Sequence, residues 1–176
     1  MIFKQQYIIF FVSNVFVVLL LAFAANRAYA GDSIKVPEDF KSINEAIAAA
    51  SKFDTVIIAS GFYEENLFIT QPVNIVAMEQ AKLIAKEDKP AVTITTTHNV
   101  KIEGLEIIGG REGIFITNSS GVTVLRNKIS GSQLCGIRVR FGSARIKGNE
   151  IINNKGSKAC GIHVTNTMVK YTYLWA

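Results

Sequence analysis

Gly113-Ile114-Phe115-Ile116, Gly136-Ile137-Arg138-Val139 and Gly161-Ile162-His163-Val164 are three copies of one pattern, starting 23 and then 25 residues apart. The first two copies are each followed by a second apolar alternation, Val122-Thr123-Val124 and Ala144-Arg145-Ile146. These run into Arg126-Asn127-Lys128-Ile129 and Gly148-Asn149-Glu150-Ile151. A period near two dozen residues, built from short β-branched runs with Gly and Asn at the corners, is a solenoid signature. A strand of three or four residues cannot bury its own inward face, whereas equivalent strands stacked at the sheet spacing can. Asn tolerates the left-handed backbone of a sharp corner, and its side chain can pair with its equivalent one coil away. The pattern predicts an all-β chain, a parallel β-helix of about five coils.

The period extends upstream. Ala91-Val92-Thr93-Ile94 begins 22 residues before Gly113, and Val100 to Ile107 takes the place later held by Ala144 to Ile151. Leu105 stands where Asn127 and Asn149 stand later, so an asparagine ladder is expected only in the later coils. Asp54 to Ile58 reads as the first strand, Gly61 as its turn, and Leu67-Phe68-Ile69, Val73 to Val76 and Leu83-Ile84 as the rest of that coil. Before it, Ile34 to Val36 is a short strand that Pro37 ends. Ser42-Ile43-Asn44-Glu45 is a capping box opening a helix over Ile43 to Ser51, with Ile43, Ala46, Ile47 and Ala50 on one face. Such a helix covers the open edge and apolar end of the first coil. The expected organisation is a cap over 31–52 and the β-helix over 53–176. At the other end, Val169 to Ala176 takes the register of Ala144 to Ile151 but lacks its Gly-Asn corner. The expectation there is a coil broken off midway, as in a truncated product, or one closed by its own aromatics or by another chain.

The 176 residues allow one compact domain once the leading segment is set aside. Lys4, the apolar run Val15 to Ala25 and Ala28-Tyr29-Ala30 form a signal-peptide pattern over 1–30 with cleavage after Ala30. The wider run from Tyr7, interrupted by Ser13 and Asn14, is long enough for an uncleaved anchor. The mature chain is expected to be secreted or periplasmic. The formal charge of +5 conceals an asymmetry: Gly31 to Glu112 carries −5, and Gly113 to Ala176 carries +8 with Glu150 as its single acid. The later coils are therefore expected to meet an anionic partner. Export disfavours nucleic acid and leaves an acidic polysaccharide or an anionic cell-envelope component, with membrane contact only through an uncleaved signal segment. Cys135 and Cys160 each precede the Gly of a repeat, so they hold equivalent positions in adjacent coils, about 4.8 Å apart. That spacing suits a disulfide, and it equally suits free thiols packed as small hydrophobes.

Residues 36–84, with the stretch VPEDFKSINEAIAAASKFDTVIIASGFYEENLFITQPVNIVA, resemble the amino-terminal part of pectin-lyase-like β-helix proteins, and among them pectin methylesterases. The repeats from Ala91 to Val164 resemble the carbohydrate-binding and sugar-hydrolase type of β-helix repeat. The resemblance implies a right-handed stack and a relation to pectin-active proteins, in a fold that also hosts lyases, hydrolases and non-enzymatic proteins. The catalytic motifs do not follow. The Gly-x-x-Asp-Phe-Ile-Phe-Gly segment of the methylesterases and the Asp-Pro-His-Asp motif of alginate-modifying enzymes are missing, and no aspartate follows Asp88. This removes the paired carboxylates of a β-helix hydrolase and the acidic cluster of a calcium-dependent lyase. Arg145-Ile146-Lys147 matches a polygalacturonase tripeptide, but Ile146 falls where the repeat needs an inward apolar residue, so the match reads as coincidence. Glu64 and Glu65 read as a solvated turn, and His98 has no evident partner. No catalytic residue, metal site or cofactor is expected.

The candidate ligand contacts lie on the outward face. With Ile114 and Ile116, Ile137 and Val139, and Ile162 and Val164 pointing inward, Phe115, Arg138 and His163 point outward in register. Arg140 shares that face, and Lys101, Thr123, Arg145 and Lys170 form a second outward column on the neighbouring sheet. An aromatic ring stacks on a sugar and Arg grips a carboxylate with two parallel hydrogen bonds. The expected function is an exported polysaccharide-binding β-helix without a complete active site. The alternatives are a pectin esterase or lyase-like enzyme, or a fragment of one, and a structural surface protein.

Overall fold

The computed structural model describes residues 31–86, 88–155, 160–166 and, for backbone alone, 172–173. The chain starts with β1 (Ser33–Val36) and α1 (Ile43–Ala49). One turn follows: β2 (Thr55–Ile58), β3 (Gly61–Glu64) and β4 (Leu67–Ile69). The next turn is β5 (Asn74–Ala77), β6 (Ala81–Ile84) and β7 (Val92–Thr95), and after it come β8 (Lys101–Glu103), β9 (Glu106–Ile108) and β10 (Ile114–Thr117). Then β11 (Val122–Leu125), β12 (Lys128–Ser130) and β13 (Cys135–Arg140) precede β14 (Ala144–Lys147), β15 (Glu150–Ile152), β16 (Cys160–Thr165) and β17 (Thr172–Tyr173). Every third strand pairs in parallel. Sheet A runs β1-β2-β5-β8-β11-β14-β17, sheet B β3-β6-β9-β12-β15 and sheet C β4-β7-β10-β13-β16. This is a parallel β-helix of about six turns, against the five expected. The difference arises because β1 pairs with β2 and so already belongs to the stack.

The core is a set of aliphatic columns, at least one per sheet. Val56, Ile75, Ile102, Val124 and Ile146 stack in sheet A, and Leu83, Ile107 and Ile129 in sheet B, all buried. In sheet C, Leu67, Val92, Ile114 and Ile137 form one column and Ile69, Ile94, Ile116 and Val139 another. Each such side chain contributes about 1.5–3 kcal/mol by leaving water. Val164 departs from the expected inward set: it remains 39% exposed. The reason is that β16 is the last described strand of sheet C and is covered on one side only.

The corners explain the Gly and Asn spacing. After sheet A the chain turns through Gly104, Arg126 and Gly148, and after sheet B through Gly109, Gly131 and Asn153, all with positive φ. The asparagine ladder forms just beyond the first of these corners. Asn127 Nδ2 donates to Ile102 O and to Asn149 Oδ1, both at 3.0 Å, and Asn149 Nδ2 donates to Val124 O at 2.9 Å. Leu105 N donates to Asn127 Oδ1 at 3.0 Å, so the ladder ends at the leucine.

The capping box is present, with Glu45 N donating to Ser42 Oγ and Ser42 N to Glu45 Oε2, each at 3.2 Å. The helix ends at Ala49, two residues before the expected Ser51. Glu65 does not lie in a solvated turn. Its carboxylate accepts from Ile43 N at 2.8 Å, Asn44 N at 3.0 Å and Asn44 Nδ2 at 2.6 Å. The free N–H groups and dipole of a helix start attract a carboxylate, and this contact ties α1 to the first full turn. Behind it, burial first and the Glu65 carboxylate second raise the Tyr63 phenol above its ordinary range. The hydroxyl donates to Ala59 O at 2.9 Å.

Candidate ligand-binding face

Of the three outer faces, that of sheet B neutralises itself. On sheet B, Phe62, Lys82, Glu106, Lys128 and Glu150 stack in register, so charge alternates from rung to rung. Lys82 and Glu106 pair at 3.1 Å, and the Lys82 ammonium lies 5.8 Å from the Phe62 ring centre. On sheet A, the buried Glu103 is clasped by both Lys101 and Arg126. Thr123 stacks between Lys101 and Arg145 as expected. Lys170 lies outside the described residues, and the backbone pairs Thr172 with Ile146, not with Lys147. The expected register therefore slips by one, because this coil is one residue longer than the 25-residue step assumed for it. The slip does not affect Arg145, which is exposed on sheet A, away from the other candidates.

Sheet C keeps its charge. Phe68, Thr93, Phe115, Arg138 and His163 form one outward column across β4, β7, β10, β13 and β16. Thr95, Thr117, Arg140 and Thr165 form a second beside it. At about 4.8 Å per rung the first column spans ~19 Å. Phe115, Arg138, Arg140 and His163 thus share one face. Arg140 and His163 are exposed and make no ion pair among the described residues. Phe68, 60% exposed, extends the column toward α1. Beside it opens a groove of about 500 Å³ lined in part by Glu64, Phe68, Lys86 and Thr93.

Arg138 is not the free grip that the sequence suggests. Its Nη1 donates to Glu112 Oε1 at 3.2 Å, and Arg111 Nε donates to Glu112 Oε2 at 3.0 Å. Glu112 is 0% exposed and Arg138 keeps only 31% of its side chain in solvent. A carboxylate taken fully out of water needs such partners. The guanidinium carbon also sits 5.9 Å from the Phe115 ring centre. Arg138 therefore fixes the middle of the column; Arg140 is the exposed guanidinium beside it, and the exposed His163 imidazole lies one rung on.

One coil after Glu112, its position is held by Cys135, and in the next by Cys160. These two are joined, with Cα atoms 4.5 Å apart. The sequence carries two signals that single out missed residues. Stepping back from Phe115 by the local periods reaches Thr93 and then Phe68, and Glu112 stands in the cysteine column. His98 faces Phe53, ring centres 6.5 Å apart, and its backbone bridges to Ser120. Among the described residues no group of three or more His, Cys, Asp or Glu is placed to hold a metal ion. Among them, too, no helix is long and apolar enough to cross a membrane. The expected signal segment and its cleavage site lie outside the described residues.

A family model described as a right handed beta helix region matches residues 73–172. A protein of Methanothermus fervidus named cell surface glycoprotein is 29% identical over 106 residues, which make up 59% of this chain and 18% of that protein. The chain thus spans less than a fifth of that relative's length. No solved structure matches.

Proposed function

The chain belongs to the right-handed β-helix family, and from that premise we propose that it is an exported, pectin-related surface protein that binds acidic polysaccharide along the outer face of sheet C, with no catalytic site of its own. The observation that carries this reading is the contrast between faces. Sheet B alternates Lys and Glu along its column, whereas sheet C presents Phe68, Phe115 and His163 along one column and Arg140 in the column beside it. A linear polyanion laid along the stack meets aromatic faces for its rings and cations for its carboxylates. The excess of basic residues after Gly113 adds a long-range attraction of the same sign. The cell-surface name of the Methanothermus relative supports placement outside the cell. With no aspartate after Asp88 to form the paired carboxylates of a β-helix hydrolase, the polymer is held and not cleaved.

The test is a binding isotherm of the full chain on polygalacturonate at increasing salt, with product analysis on polygalacturonate and methylated pectin. Affinity is expected to fall as salt shortens the screening length toward about 8 Å and below. Arg140→Ala should weaken binding by about fivefold, and Lys52→Ala, far from the face, should not. Equal small effects from both substitutions would reduce the row to ordinary surface. Released methanol or unsaturated sugars would overturn the absence of catalysis.

A further inference from the structure

At the corner between sheets C and A, Thr96, Asn118, Phe141 and Asn166 occupy one position in successive coils. All four take left-handed backbone, with φ of 53°, 48°, 50° and 50°. The conformation therefore belongs to the coil, whatever residue is placed there. Asn suits it, because a short polar side chain tolerates this region, and a bulky aromatic is an outlier in it. Nor does Phe141 recover the strain by burial, since it is 44% exposed. What the ring does contact is Arg140, whose guanidinium carbon lies 4.8 Å from the ring centre. Arg140 in turn stacks between Thr117 and Thr165 on the outer face of sheet C.

We infer that Arg140 and Phe141 form a stacking platform for one uronate unit of an acidic polysaccharide, the ring carrying the apolar face of the sugar and the guanidinium its carboxylate. The inference rests on the proposed binding face and gives it a defined subsite at its edge. An exposed ring offers a flat apolar surface at little entropic loss, and the guanidinium fork matches a carboxylate. The two threonine hydroxyls beside Arg140 are placed to meet sugar hydroxyls. Backbone strain retained at an exposed position is a mark of ligand sites, where it aims a side chain that the fold alone would not keep there.

The test is Phe141→Asn in the full chain, followed by thermal unfolding and by calorimetric titration with a short oligogalacturonate. The substitution is expected to raise Tm by about 3 °C, because Asn relieves the strain. It is also expected to weaken oligogalacturonate binding about fivefold, because the ring is lost. Stability and affinity move in opposite directions. A raised Tm with unchanged affinity overturns the platform and leaves the binding face standing, as would follow if the corner docked a protein. An unchanged or lowered Tm also overturns it, since the ring would then cost the fold nothing. Failure of the parent chain itself to bind oligogalacturonate removes the binding face, and the platform with it.

Discussion

Gly113→Ala is expected to lower Tm by roughly 10 °C, while Gly161→Ala leaves it nearly unchanged. Gly113 has an ordinary φ, so close approach alone decides the outcome. A Cβ there would lie 2.4 Å from Ile129 Cγ2 and 2.6 Å from Gly136 O. Neither neighbour has room to yield, because Ile129 is fully buried and Gly136 O is backbone of the next rung. Overpacking of this kind costs about 3 kcal/mol. At Gly161 a Cβ would meet nothing within 4 Å among the described residues. The same residue type in the same repeat position therefore gives opposite outcomes. Equal melting temperatures for the two variants would mean that the coils are not stacked in this register.

Arg138→Ala is expected to destabilise the fold by about 3 kcal/mol, because Glu112 remains buried with only the half-exposed Arg111 as partner. Replacing both members, as in Glu112→Val with Arg138→Ala, should recover most of the loss, since an apolar side chain needs no counter-charge. Denaturant unfolding of the two single variants and the double variant measures the coupling. Additive losses would show that the buried pair does not exist. This is also why Arg138→Ala is a poor probe of ligand binding, and why Arg140 carries that test.

The fold was legible because its determinants are local and repeated. From Val92 onward each inward Ile or Val recurs after 22 to 25 residues, and the corners that need left-handed backbone carry Gly or Asn in most coils. The helix start was legible for the same reason, since Ser42 and Glu45 satisfy each other within four residues. What could not be read depends on contacts between different corners. Glu65 looks like half of a solvated pair until α1 places its free N–H groups against it. Arg138 looks like a free cation until Glu112 is found beneath it, 26 residues earlier. The last register slipped by one residue because the stacking step is not constant, and nothing in Val169 to Ala176 announces the change. Phe115, Arg138 and His163 of the outward row were visible in the tetrapeptide. Phe68 and Thr93 lie in coils that lack its glycine; the local periods reach them from Phe115, and the pairing establishes their register.

Sheet C, and not sheets A or B, is the face expected to meet the polysaccharide. Titration of the isotopically labelled full chain with a short oligogalacturonate, followed by amide chemical shifts, tests it directly. Progressive shifts are expected along Phe68, Thr93, Phe115, Arg140 and His163, with Lys82, Glu106 and Lys128 on sheet B unmoved. Shifts centred on sheet B, or spread evenly over every basic side chain, would contradict it.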